Sequence, residues 1–169
     1  MMVLSVHQPR ASLVMWGEKL NETRGWRTHY RGPFAIHASK GRPAGWRDLW
    51  RPPFSDVLRD HLVNDLEELP RGCILGVVTL LDCVQVEPTA PWPAATYARP
   101  TRRYLTVQER AFGDYSAGRW AWLLADPRPL QRPIVARGAQ GLWRYQDGPI
   151  LRELALTAAT VAHGGLVAK

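Results

Sequence analysis

Gly17-Glu18-Lys19-Leu20-Asn21-Glu22-Thr23-Arg24 follows directly on the apolar run Ala11–Trp16, and the fold and the function both turn on how it is read. It sets a lysine, a carboxylate and an arginine within six residues, with Trp26, Arg27, Tyr30 and Arg31 just beyond. Residues 11–16 are helix formers, and Gly17 suits the end of that helix. If Glu22–Arg24 is extended, its side chains alternate, so Glu22 and Arg24 share one face and Thr23 takes the other. Lys19, at the turn feeding the strand, is expected to swing to the face of Glu22 and Arg24. Read blandly, the same pattern is a solvated salt-bridge cluster of little energetic weight.

Outward from this stretch the chain reads as short strands with scattered helices. Val3–Val6 is a strand ended by His7-Gln8-Pro9, and Pro9 suits a first helical turn. Phe34–Ser39 is another strand after the turn Arg31-Gly32-Pro33. Residues 41–53, rich in Pro, Gly and Trp, read as a loop with one helical turn. Apolar spacing then predicts a helix over 56–69 with Ser55 as its N-cap. Cys73–Val86 is the longest strand-like run, with Gly76 a bulge or a point of close approach. Pro88–Pro100 reads as a surface loop, and Thr106 caps a short helix through Phe112. Trp120–Leu124 is a strand, 127–133 is extended between prolines, and Ile134–Ala136 continues it. Gly138–Gly141 turns into Leu142-Trp143-Arg144, and a final helix is expected over 149–163. With five to seven strands and no alternation of strand and helix, the fold class is α+β: one small mixed β-barrel across residues 1–169, carrying a helical insert at 56–69.

Bulk properties narrow the function. The 169 residues suit one compact domain, and no apolar run reaches the length of a membrane span, so no membrane is expected as partner. Cys73 and Cys83 alone make neither a disulfide framework nor a zinc site, and they read as buried thiols of a cytoplasmic protein. His7, His29, His37, His61 and His163 lack close ligand spacing, so neither metal nor cofactor is expected; His37, in an apolar strand, reads as a packed residue. A net charge of +7 favours an anionic partner. The charge is uneven: residues 7–47 hold eight Lys/Arg against two Glu, 48–87 three against eight acids, and 88–144 nine Arg against three acids. Two basic blocks thus flank an acidic insert, and they make one positive face if they meet in space.

Leu4-Ser5-Val6-His7-Gln8-Pro9, Ala11-Ser12-Leu13 and the Gly-x-Lys-x-x-Glu-x-Arg pattern at 17–24 together resemble the ASCH domain family of the PUA-like superfamily. Trp26, Arg31-Gly32-Pro33, Ile36-His37-Ala38 and Gly72–Gly76 leading to Leu81-Asp82-Cys83 extend the resemblance. It implies a β-barrel with a basic cleft beside the motif and a role around RNA or DNA, or a nucleotide-like anionic ligand, with a monomer favoured. On that footing Arg24, Arg27, Arg31 and Lys40 hold phosphates, Lys19 at the lip of the groove and Arg10 belong to the same binding set, and Trp26 or Tyr30 stacks an unpaired base. His7 and Gln8 offer donors and an acceptor to a base edge or sugar. Arg10 stands where many relatives carry Trp, which trades a stacking face for a charge.

Two other classes are open. As a metal-independent hydrolase of RNA or of a modified nucleoside, Glu22 serves as general base while Lys19 and Arg24 stabilise developing charge. With two cations beside it, the cluster reads better as an anion site than as acid–base machinery. The amidohydrolase branch resembles a Lys/Thr/Glu arrangement with Thr three residues after Lys; Glu22 occupies that place here, which counts against deacetylation of acetylated cytidine. As a protein-interaction module, the chain would dock through the helix at 56–69 or the terminal helix.

Overall fold

The structure is a computed structural model that describes residues 1–87, 96–97 and 105–146. The expected loop at 88–100 lies largely outside them, and the expected terminal helix at 149–163 wholly so. Seven strands are described: β1 Met2–Val6, β2 Asn21–Arg24, β3 Gly32–Ala38, β4 Cys73–Glu87, β5 Thr96–Tyr97, β6 Trp120–Val135 and β7 Leu142–Arg144. Three α-helices accompany them: α1 Arg10–Met15, α2 Phe54–Asp60 and α3 Val107–Phe112. The sheet runs β2-β6-β4-β3-β1-β7, with β5 added beside β4. Among the described strands only β1 and β3 pair in parallel, Val3 opposite Ala35 and Val6 opposite Ala38. The fold is α+β, a curled half-barrel sheet carrying a few helices.

Alternation along the strands builds the core. Leu4 and Val6 of β1, Phe34 and Ile36 of β3, Val78 and Leu80 of β4, and Trp122 and Leu124 of β6 share one cluster. Helix α1 seals it, because Ala11, Val14 and Met15 turn onto the same cluster while Leu13 faces Phe54 and Phe112. Val3, Ala35, Ile74 and Val77 form a separate cluster on the outer face. The three prolines at 127, 129 and 133 fall inside β6 rather than bounding it. They are tolerated because β2 pairs only with residues 120–123, which leaves the rest of β6 with one free edge.

Gly76 confirms the expected close approach. The β4 register slips between Ile74 and Gly76, and a Cβ at Gly76 would meet the Arg128 carbonyl oxygen, Met15 Sδ and Pro129 Cα. Gly76→Ala is therefore expected to cost about 1–3 kcal/mol through overpacking, read from urea denaturation.

The helix expected over 56–69 is corrected. Helix α2 begins after Pro53 and stops at Asp60, and Ser55 lies inside it instead of capping it. Val63 donates to the Leu58 carbonyl at 2.9 Å and Leu62 to that of Arg59 at 2.9 Å, with Leu62 at φ +60°. That is a Schellman closure with a leucine in the left-handed position, its side chain 85% exposed. A separate 3₁₀ turn, Leu66–Glu68, follows; Asp65 caps it by accepting from the Glu67 N–H. Leu66 and Leu69 then rejoin the core beside Trp46 and Leu58. By contrast, Thr106 does cap α3, its side chain accepting from the Glu109 N–H.

Candidate nucleic-acid interface

Strand β2 ends at the edge of the sheet, and the curl carries its last residue across to β1. Arg24 Nη2 donates to the Ser5 carbonyl at 2.7 Å and pairs with Glu22 Oε1 at 3.2 Å. Glu22 and Arg24 do share a face, as their register opposite Trp122 and Trp120 requires. Thr23 takes the opposite face, where its hydroxyl accepts from the Asp114 N–H at 3.1 Å. Glu22 is buried, and its Oε2 has no hydrogen-bond partner among the described residues.

Lys19 does not join them, which corrects the expected convergence. It is 1% exposed and pairs with Glu109 Oε1 at 3.3 Å, over the ring of Tyr115. Glu109 is otherwise satisfied by the Tyr115 hydroxyl at 2.6 Å and the Leu20 N–H at 2.7 Å. The lysine is an internal tie between the motif and α3.

A cleft of about 1030 Å³ opens beside Arg24, between the ends of β1 and β3 and the segment after β6. Among the described residues, four of its lining residues are cations, Arg24, Lys40, Arg71 and Arg137, and none is a carboxylate. They come from the first basic block, the insert and the second basic block, so the two blocks do meet. Lys40 and Arg137 are exposed and make no ion pair with another described residue. Trp26 stands at the same cleft, 38% exposed and braced edge-on against Trp122 at 4.7 Å. His7 lines it as well, its Nδ1 3.1 Å from the Gly41 carbonyl oxygen.

The other candidates lie elsewhere. Gln8 is buried, giving its amide to Ser12 Oγ at 2.9 Å and the Pro70 carbonyl at 2.8 Å. Arg10 donates to the Phe112 carbonyl at 2.8 Å and stacks on Phe54; burial pushes its pKa down, against the opposing pull of Glu22. Arg27 covers Trp120, Tyr30 bonds the Pro33 carbonyl, and Arg31 pairs with Asp82. None of these five residues lines the cleft.

Sequence reasoning missed Arg71 and Arg137 as residues that line the cleft. Arg71 is held by Glu67, which also accepts from Arg42 at 2.6 Å and from the Trp46 indole at 2.9 Å. Arg42, then Trp46 and Arg71, hold the Glu67 carboxyl down at about 2 from its ordinary 4.5. Its folded value is depressed, so the support it gives is complete above pH 4.5 and is lost as pH falls through about 2. A carbon-13 carboxyl titration should find Glu67 still ionised at pH 3.5, roughly a unit below where a free Glu half-titrates.

The family model for the ASCH domain matches residues 4–133. Activating signal cointegrator 1 of Homo sapiens and that of Mus musculus are each 40% identical over 81 residues. That stretch is 48% of this chain but 14% of either relative, so the chain spans a small part of their length. A solved structure of a mutant ZmASCH protein from Zymomonas mobilis is 18% identical, with TM-score 0.47, covering 92% of this chain and 94% of that one. At this level of similarity nothing is carried over from it. With 130 consecutive residues matched to the family model and a small PUA-like α+β half-barrel behind the motif, the chain belongs to the ASCH domain family.

Proposed function

We propose that the chain binds nucleic acid, RNA foremost, in the cleft beside Arg24. The observation that carries this reading is the lining itself: four cations from three stretches of sequence, with no acid among the described residues that line it. Arg24 and Arg71 are partly neutralised by Glu22 and Glu67, so of the four cations Lys40 and Arg137 are the freest to exchange small counterions for phosphate. Trp26 adds a braced aromatic face at the rim, suited to an unstacked base and of no use to a paired one. A binding role asks nothing of Lys19, whereas the hydrolase reading built on Lys19 and Glu22 loses its lysine to Glu109.

The test compares single-stranded RNA with duplex of the same length by fluorescence anisotropy. Single strands should bind tighter, and Trp26→Ala should cost about 1–3 kcal/mol of that affinity while barely touching the duplex. Equal loss on both forms would remove the stacking role, and undetectable binding to either would remove the function.

A further inference from the structure

The floor of the cleft holds a hydroxyl and an imidazole that the binding reading does not use. Ser5 Oγ lies 3.2 Å from His37 Nδ1, and His37 Nε2 lies 3.0 Å from the Ala136 carbonyl oxygen. A carbonyl can only accept, so Nε2 carries the ring proton and Nδ1 presents its lone pair. The Ser5 hydroxyl therefore donates to Nδ1, while its oxygen accepts from the Trp143 indole at 3.1 Å. His37 is 2% exposed, and burial pushes its pKa below the ordinary 6.5, opposed in part by the Ala136 hydrogen bond. The neutral form that can take a proton is thus the one favoured at neutral pH.

The backbone at Gly138 closes over the ring, since a Cβ there would strike His37 and come within 3.0 Å of Ser5 Oγ. Ser5 itself stays half-buried and lines the cleft. A hydroxyl at a cleft, a neutral base bonded to it and a third group fixing the base are the parts of an activated nucleophile. Arg24, which donates to the main-chain carbonyl of this same Ser5 and lines the cleft with it, is the guanidinium available to a developing oxyanion.

We propose that Ser5 is an acyl-transfer nucleophile with His37 as its general base, acting on a carboxylic ester whose alcohol portion carries phosphate. Ser5 Oγ bonds to the ester carbonyl carbon as its proton passes to His37 Nδ1. The carbon–alkoxy bond then breaks, and the departing alcohol takes that proton. Water then adds to the acyl carbon as its proton passes to Nδ1; the bond from that carbon to Ser5 Oγ breaks, Nδ1 returns the proton to Oγ, and the carboxylic acid leaves. The phosphate on the alcohol is what the cationic rim would hold, so the substrate class rests on the binding reading, whereas the nucleophile does not.

The experiment uses p-nitrophenyl acetate, an uncharged ester, so its outcome is separate from that of RNA binding. The wild-type chain should release a burst of nitrophenolate and carry one acetyl group, located on Ser5 by peptide mass spectrometry. Ser5→Ala should abolish the acetyl mark, and His37→Gln should slow the burst about 100-fold or more while both remain folded by circular dichroism. Because the mark is located on the wild type, the result stands even if a variant fails to fold. No burst, or acetyl groups confined to lysines and the N-terminus, would overturn the proposal.

Discussion

Lys19→Ala is expected to destabilise the protein by about 3–5 kcal/mol, the cost of leaving a buried partner charge uncompensated. Both ends of the pair are inside, with side-chain exposures of 0% for Lys19 and 8% for Glu109. Removing the ammonium strands a carboxylate that Tyr115 and the Leu20 N–H only partly satisfy. Urea denaturation checks the size, and the double replacement Lys19→Met with Glu109→Gln should recover most of the loss, because neither side then keeps an unpaired charge. Affinity of the still-folded single variant for RNA should stay within twofold of wild type, since Lys19 does not line the cleft. A loss below about 0.5 kcal/mol would place Lys19 among ordinary surface cations and contradict the pairing.

Arg24→Ala is the opposite case, expected to damage fold and binding together. Its guanidinium ties edge strand β2 to β1 and compensates Glu22, whose side chain is 8% exposed. With Arg24 itself 25% exposed, water recovers part of the penalty, and a loss of about 2–4 kcal/mol is expected. RNA affinity of the folded fraction should fall about tenfold or more on every sequence tested, as for a phosphate contact. Arg24→Lys should restore part of the loss, because Nη2 alone meets both the Ser5 carbonyl and the Glu22 carboxylate and an ammonium keeps the charge. Full binding by Arg24→Ala would separate the motif from the cleft.

These two variants also mark how far the sequence was readable. Alternation placed Glu22 and Arg24 on one face because a strand has only two faces, and their pairing opposite Trp122 and Trp120 agrees. The strands, Gly76 as a close-approach point and Thr106 as a cap were legible because each rests on local chemistry. Lys19 was misjudged because its partner, Glu109, lies 90 residues away and only the fold brings them together. Gln8 failed for a similar reason, since the Pro70 carbonyl and Ser12 that absorb its amide are set by packing. The helix over 56–69 was overextended because Leu62 fits the apolar period yet sits at the closure, turned outward. Arg71 and Arg137 lie in irregular segments beside strands, where no periodicity predicts direction, and the cleft they help to line is a product of the curl.

The central claim is that cations far apart in sequence form one phosphate-binding cleft, and the salt dependence of RNA affinity tests it most directly. For wild type binding a single-stranded oligonucleotide through about four phosphates, log K should fall against log salt with a slope of roughly −3; for Lys40→Ala combined with Arg137→Ala the slope should be shallower by about 1.4. Equal slopes for the two proteins, or an affinity indifferent to salt, would contradict it.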